Sequence, residues 1–257
     1  MKKVAGLVTG AGGFLGLEHC KSILDLSYVL IMVDNNSLKL ESNYNYLKKF
    51  YKDKIILKYK CDITKNQNIK NLKKKLNKYF VRILINNAAI NSVPKKSLIN
   101  KVNYLATWDQ EFLVGLKAPH MLIENFKQSM IENKDGCIVN IASDLSVIAP
   151  NQEIYRSVYK NYIKPASYSV IKHGLIGLTK YYAAMLGKYN ITCNAISPAG
   201  VFNNHKKKFV SNIIKLIPMN RMASKSDIKN TIDFLVNKNQ KFITGQNIII
   251  DGGRTIL

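Results

Sequence analysis

Acidic residues are scarce in this chain: 16 Asp and Glu stand against 39 Lys and Arg in 257 residues, for a formal net charge of +23. Such an excess suggests an anionic partner. The lysines, however, are dispersed through Lys48-Lys49, Lys73-Lys74-Lys75, Lys95-Lys96 and Lys206-Lys207-Lys208, and no tract dominates. Solvated helix faces are the default reading, and nucleic acid is not the expected partner. Cysteine is equally sparse. Cys20, Cys61, Cys137 and Cys193 form no C-x-x-C pair, which argues against a metal site and suits buried thiols in a reducing cytoplasm. No apolar run approaches the ~18 to 20 residues that a membrane helix requires. The opening Met1-Lys2-Lys3-Val4 mimics a signal peptide, but Thr9-Gly10-Ala11-Gly12-Gly13 breaks the apolar run at once, so it reads as a first strand. Internal repeats, low-complexity blocks and linker-like boundaries are also missing. With 47% hydrophobic residues, residues 1–257 are expected to form a single domain with a sizeable core.

What is present alternates strand and helix. Strands are expected near 3–8, 28–33, 54–60, 82–86, 136–142, 191–196 and 246–250, with amphipathic or buried helices between them. That order predicts an α/β fold, a doubly wound, seven-stranded parallel sheet with helices on both faces. The first strand runs into Thr9-Gly10-Ala11-Gly12-Gly13-Phe14-Leu15-Gly16 and then a helical pattern through Leu26. Strand, glycine turn and helix start form a mononucleotide-binding unit, in which the backbone approaches a pyrophosphate and helix amides receive its charge. A turn that binds nothing is the alternative. Asp34 ends the second strand where an acid would accept hydrogen bonds from an adenosine ribose, and it would repel a 2′-phosphate, favouring NAD over NADP. Otherwise it opens a surface turn before Asn35-Asn36. Tyr168 and Lys172 lie one helical turn apart, so the lysine can stabilise a phenolate. The same spacing recurs at Tyr44 and Lys48 in this lysine-rich chain, so it carries weight only in company.

Taken together, these motifs resemble the compact, single-domain branch of the short-chain dehydrogenase/reductase family over essentially the whole chain. The carrying residues are the Thr9–Gly16 turn, Cys61-Asp62-Ile63-Thr64, Asn86-Asn87-Ala88-Ala89, Ile138 to Ser143, Tyr168 with Lys172, Asn194 to Pro198, and Thr244-Gly245-Gln246 leading to Asp251-Gly252-Gly253. The resemblance implies a Rossmann-like sheet, NAD(P) and a homodimer or homotetramer. It implies that Asp62 and Ile63 flank the adenine and that Asn87, Ala88 and Ala89 lie along the cofactor, as do Pro198, Gly200 and Val201. It further implies that Lys172 binds the nicotinamide ribose, Tyr168 is the general acid/base and Ser143 holds the reacting oxygen. Ser143 also reads as a strand-end cap.

Three departures bear on this. Gly13 and Phe14 stand where this branch usually has its second glycine one place later, a spacing closer to the larger sugar-nucleotide branch, whose C-terminal domain is not expected here. Gly115 stands where relatives commonly have a helix-bending Asn in the proton relay, and a solvent chain from Lys172 is expected to replace that amide. Ala199 follows Pro198 where Gly is usual. In addition, twenty-four residues separate Ser143 from Tyr168, where relatives commonly have about a dozen. This enlarged loop, 144–167, carries Tyr155, Arg156, Tyr159, Lys160, Tyr162 and Lys164 and should overhang the substrate side. A lid near 201–224, with Asn203, Asn204 and a solvated His205, should face it, and Asn203 is expected to touch substrate. Gly174 and Gly177 are expected to admit a close subunit contact. A cationic, aromatic mouth suits a phosphorylated or nucleotide-linked sugar. The expectation is a cytoplasmic NAD-preferring oxidoreductase interconverting a secondary alcohol and a ketone on a polar, carbohydrate-like substrate. Alternatives are a sugar epimerase or dehydratase retaining NAD, and a non-catalytic dinucleotide-binding protein with a basic RNA- or partner-binding surface.

Overall fold

The computed structural model describes residues 2–90, 104–159 and 162–257; Lys95, Lys96 and Lys160 lie outside them. Seven parallel strands form one sheet in the order β3-β2-β1-β4-β5-β6-β7. They are β1 (Lys3–Thr9), β2 (Val29–Asp34), β3 (Ile56–Lys60), β4 (Tyr79–Asn86), β5 (Gly136–Ile141), β6 (Ile191–Pro198) and β7 (Asn247–Ile250). Crossovers run through α1 (Gly16–Asp25), α2 (Ser37–Phe50), α3 (Asn66–Lys75), α4 (Tyr104–Phe112), α5 (Ala118–Asn133), α6 (Glu153–Arg156), α7 (Ala166–Leu186), α8 (Lys207–Ile214) and α9 (Lys225–Val236).

Both sheet faces are covered, which explains why the strands read as continuous apolar runs. Side chains alternate across the sheet: Leu7, Ile31 and Leu84 pack with α3, α5 and α7 on one face, while Val8, Leu30 and Ile85 pack with α1, α2 and α9 on the other. The winding reverses between β1 and β4, which pair directly. A crevice therefore opens at the carboxyl ends of those strands, the usual ligand position in such sheets.

Two local irregularities position the site. Between α4 and α5 the helix widens into a π-helical turn, Leu113–Lys117, a form that recurs at functional positions. Gly115, within this turn, permits close packing against α7, since a Cβ there would meet Ile171 Cγ2 at 2.7 Å. After β5 the chain caps a short 3₁₀ turn, Asp144–Ser146, passes through α6 and enters α7 behind Pro165. Pro165 is the N-cap residue, with extended backbone angles. At Gly174 a Cβ would meet Leu116 Cδ2 at 2.9 Å, so it serves close packing within the chain. Gly177 has open space around it.

Candidate active site

The glycine turn is built on three separate constraints. Gly10 adopts φ +64, where a side chain is strained, and a Cβ would also lie 2.9 Å from Ala88 Cα. At Gly12 a Cβ would sit 2.8 Å from the Leu40 amide nitrogen, and at Gly16 it would collide with the Gly10 carbonyl. Gly10, Gly13, Phe14 and Leu15 line a groove of about 530 Å³, together with Asp34, Asp62, Ile63, Asn87, Ala88 and Ala89. Gly12 and Gly16 stand behind its wall. Leu15, the N-cap of α1, provides no side-chain cap, so the first-turn amides suit a pyrophosphate. Uncapped amides, a carboxylate at the far end and apolar walls at Val33 and Ile63 fit the chemistry of a dinucleotide.

Asp34 is part of the turn's framework as well as of the groove. Its two oxygens accept the amides of Gly12 at 2.9 Å and Asn36 at 2.8 Å. An ionised carboxylate has about four lone-pair sites, so it can still accept ribose hydroxyls. Lys39 lines the same end, a cation that the sequence reading missed there. Asn87 ties the β4 end to β1, donating to Thr9 O at 2.9 Å and Gly10 O at 3.1 Å. Asp62 Oδ1 accepts the Thr64 amide and hydroxyl.

A second cavity of about 490 Å³ adjoins the groove, sharing Phe14, Leu15, Asn87 and Ala89 with it. Ser143, Tyr168 and Lys172 all line this cavity, with Pro198, Gly200, Val201 and Asn203. Ser143 acts as a strand-end cap and also lines the cavity. It caps the 3₁₀ turn by accepting the Leu145 amide at 3.2 Å, donates to Asp144 Oδ1 at 2.9 Å, and lies close enough to the Tyr168 phenol to favour its ionisation. Lys172 is buried and donates to Ile141 O at 2.6 Å. Burial, with the neighbouring Lys164 second, lowers its ammonium from 10.5 to about 8. Burial raises Tyr168 to about 12, with Asp144 and Glu111 adding to the rise.

The sequence did not reveal three charged groups around this cavity. Arg254, from the chain end, forms a buried ion pair with Asp144. Burial raises the Asp144 carboxyl while Arg254 opposes the rise. Glu111 on α4 is buried and accepts the Ser167 hydroxyl. Glu111, Gly115, Tyr168, Ile171 and Lys172 enclose a small void of about 10 Å³, roughly the room one water needs.

The enlarged loop and the lid meet over the cavity. Ile154, Phe209, Ile213, Ile217 and Met222 form one apolar cluster with Tyr155 and Tyr159 packed on it. The expectation of a solvated His205 is corrected: it is half-buried, stacks on Phe209 at 5.2 Å, and lines the cavity. Arg156 is exposed and paired with Glu153.

A family profile described as Enoyl-(Acyl carrier protein) reductase matches residues 15–255. The chain is 30% identical over 255 residues to the 3-oxoacyl-(acyl-carrier-protein) reductase FabG of Rickettsia bellii, covering 96% of this chain and 95% of the relative. It is 31% identical over 209 residues to the NAD-dependent glycerol dehydrogenase of Listeria innocua, covering 78% and 75%. The solved structure of a 4-hydroxyisoleucine dehydrogenase complexed with NADH superposes with a TM-score of 0.82 at 30% identity, over 99% of both chains. With the sheet order, glycine turn and Ser143, Tyr168 and Lys172 in place, the chain belongs to the short-chain dehydrogenase/reductase family.

Proposed function

We propose that this protein is an NAD-preferring oxidoreductase that interconverts a secondary alcohol and a ketone on a small, polar, hydroxylated substrate, with Tyr168 as general acid/base. The observation that carries the reading is the convergence of Ser143, Tyr168 and Lys172 on one cavity that opens into the groove holding Asp34. A nicotinamide cofactor supplies the hydride chemistry when bound. In the alcohol-oxidising direction Tyr168 takes the hydroxyl proton and Ser143 donates to the developing carbonyl oxygen. Ser143 must first turn its proton away from Asp144 Oδ1, and the Arg254 ion pair makes that carboxylate easier to leave. Lys172, held by Ile141 O, stabilises the phenolate and faces the void that can hold a relay water beside Gly115. In the opposite direction Tyr168 donates.

The substrate class rests on the cavity wall, where Lys164, Arg254, Asp144, Asn203 and His205 stand among tyrosines. An acyl chain would desolvate these charged and polar groups without offering them hydrogen bonds, which is unfavourable, whereas hydroxyls and an anionic group find partners. The resemblance to a glycerol dehydrogenase and a 4-hydroxyisoleucine dehydrogenase points the same way, and the one to a 3-oxoacyl reductase points to the rival. The test is NADH formation from a panel of polyols, hydroxy acids, sugar phosphates and nucleotide sugars, against acetoacetyl-CoA reduction as the counter-assay. Tyr168→Phe should lower turnover of the accepted substrate at least about a hundredfold with little change in cofactor affinity, because acid/base groups contribute ~10² to 10⁴. Near-normal turnover would overturn the assignment. Product formation without NADH accumulation would favour an epimerase.

A further inference from the structure

We infer that Lys164, delivered by the enlarged loop, is a positioning residue that sets the ionisation of the Tyr168–Lys172 pair from the face of the Tyr168 ring, as a second ammonium beside Lys172. The inference rests on Tyr168 being the acid/base but concerns how this chain tunes it. Lys164 Nζ lies 3.8 Å from the Tyr168 ring centroid, closer than Lys172 Nζ at 5.8 Å. The two lysines fall four residues before and four after the tyrosine. Lys172 reaches it along α7, and Lys164 reaches it from the extended segment that Pro165 fixes.

The placement is built rather than incidental. Lys164 is 7% exposed, and an ammonium leaves water at substantial cost. Its backbone is gripped at two points by one side chain: Gln152 Oε1 accepts the Lys164 amide at 2.9 Å, and Gln152 Nε2 donates to its carbonyl at 3.2 Å. The two ends, twelve positions apart in sequence, are thereby held together, and the lysine is aimed inward. A loop merely tolerated at the surface would not bury a lysine over a reactive ring.

The charges around the phenol explain what the second ammonium does. Asp144 beyond β5 and Glu111 on α4 both oppose its ionisation, and Ser143 favours it. Tyr155 and Tyr162 face it as further phenols. Arg254 is committed to Asp144. With Lys164 and Lys172 both protonated, two like charges bracket the ring and repel each other; removal of the phenolic proton places an anion between them and relieves that repulsion. A cation above an aromatic face binds a phenolate more strongly than a phenol. Burial lowers Lys164, like Lys172, to about 8, so both charges act on the phenol below that pH. Removing Lys164 relieves the repulsion on Lys172 and must raise the pH at which Lys172 gives up its proton.

The test requires no substrate. Full-length protein carrying ¹³Cζ-labelled tyrosine is titrated by NMR with and without saturating NAD, and the Tyr168 signal is the one lost in Tyr168→Phe. The Tyr168 signal senses the lysine titration beside it, and Lys164→Met and Lys164→Gln should each raise that midpoint from near 8 by about one pH unit or more, while Lys164→Arg should restore most of the difference. Gln152→Ala, which releases the grip without removing a charge, should move it part of the way. Folded Met and Gln variants with wild-type NAD affinity and an unmoved lysine midpoint at the Tyr168 signal would overturn the inference; if they instead show only a weaker KM for an anionic substrate, Lys164 is a substrate contact. Failure of the acid/base assignment is separately visible as turnover surviving in Tyr168→Phe.

Discussion

At the scale of single residues, His19 shows how burial sets a charge. It sits on α1 with no exposed surface, neither ring nitrogen has a hydrogen bond of good geometry, and desolvation, opposed weakly by the nearby Asn87 side chain, lowers its imidazole from 6.5 to about 4. The folded chain keeps it neutral where an unfolded chain takes up a proton, so this contribution to stability is complete above pH ~6.5 and is lost as the pH falls toward about 4. At pH 5 the loss is roughly 2 kcal/mol, each unit being worth ~1.4. Carboxylates titrate mostly below that window. Urea unfolding at pH 7 and pH 5 should show this drop in the wild type and much less of it in His19→Leu; equal drops would assign the acid sensitivity elsewhere. Asp34 makes a different prediction, because its carboxylate both braces the Gly12 turn and faces the groove. Asp34→Ala should narrow the ratio of NAD to NADP affinity, measured as paired dissociation constants so that any general loosening cancels. A wild type that already prefers NADP would reduce Asp34 to a turn residue and hand the discrimination to Lys39.

At the scale of elements, all seven strands were legible because burial on both faces writes them as apolar runs. The boundaries failed where one buried polar residue interrupts the run. β4 begins at Tyr79 rather than near 82 because Arg82 sits inside it at a register shift against β1, buried and bonded to Asp135 at 2.8 Å. Tyr168 and Lys172 were legible through a spacing that gains weight from the other motifs, and Ser143 through the resemblance those motifs carry. Arg254 and Glu111 were not, since Arg254 meets Asp144 across 110 positions and Glu111 meets Ser167 across 56; no local pattern encodes such a pairing. The π-helical turn was half legible: the sequence showed an unusual glycine but not what fills its space. Ile171 Cγ2 does. Gly115→Ala gains up to ~1 kcal/mol of helix propensity, yet overpacking costs about 1–3 kcal/mol, so the net should be destabilising. Urea unfolding should show the loss, and adding Ile171→Ala should reveal a coupling of at least ~0.5 kcal/mol. Additive effects would mean that the helix relieves the contact by shifting.

At the scale of the whole molecule, the enlarged loop and the lid belong to separate crossovers, yet they share a roof. α6 and α8 meet through Ile154, Phe209 and Ile213, and Tyr155 and Tyr159 lie 5.8 and 6.5 Å from the Phe209 ring. Lys206 covers Tyr159 at 4.9 Å, and Asn212 bonds to Ser157 at 2.7 Å. A cluster of this size, standing apart from the two cores that clamp the sheet, opens at lower cost than they do. Because its halves bury each other, they should open as one unit. Phe209 contributes the central ring and comes from the lid side, so Phe209→Ala removes about 3–5 kcal/mol of packing at most without touching the loop's own sequence. Hydrogen exchange should then accelerate together in residues 153–159 and 207–214, while β1 and β4 amides stay protected. If only 207–214 accelerated, the loop would be held by its Gln152–Lys164 grip alone, and access to the cavity would be governed by the lid without it.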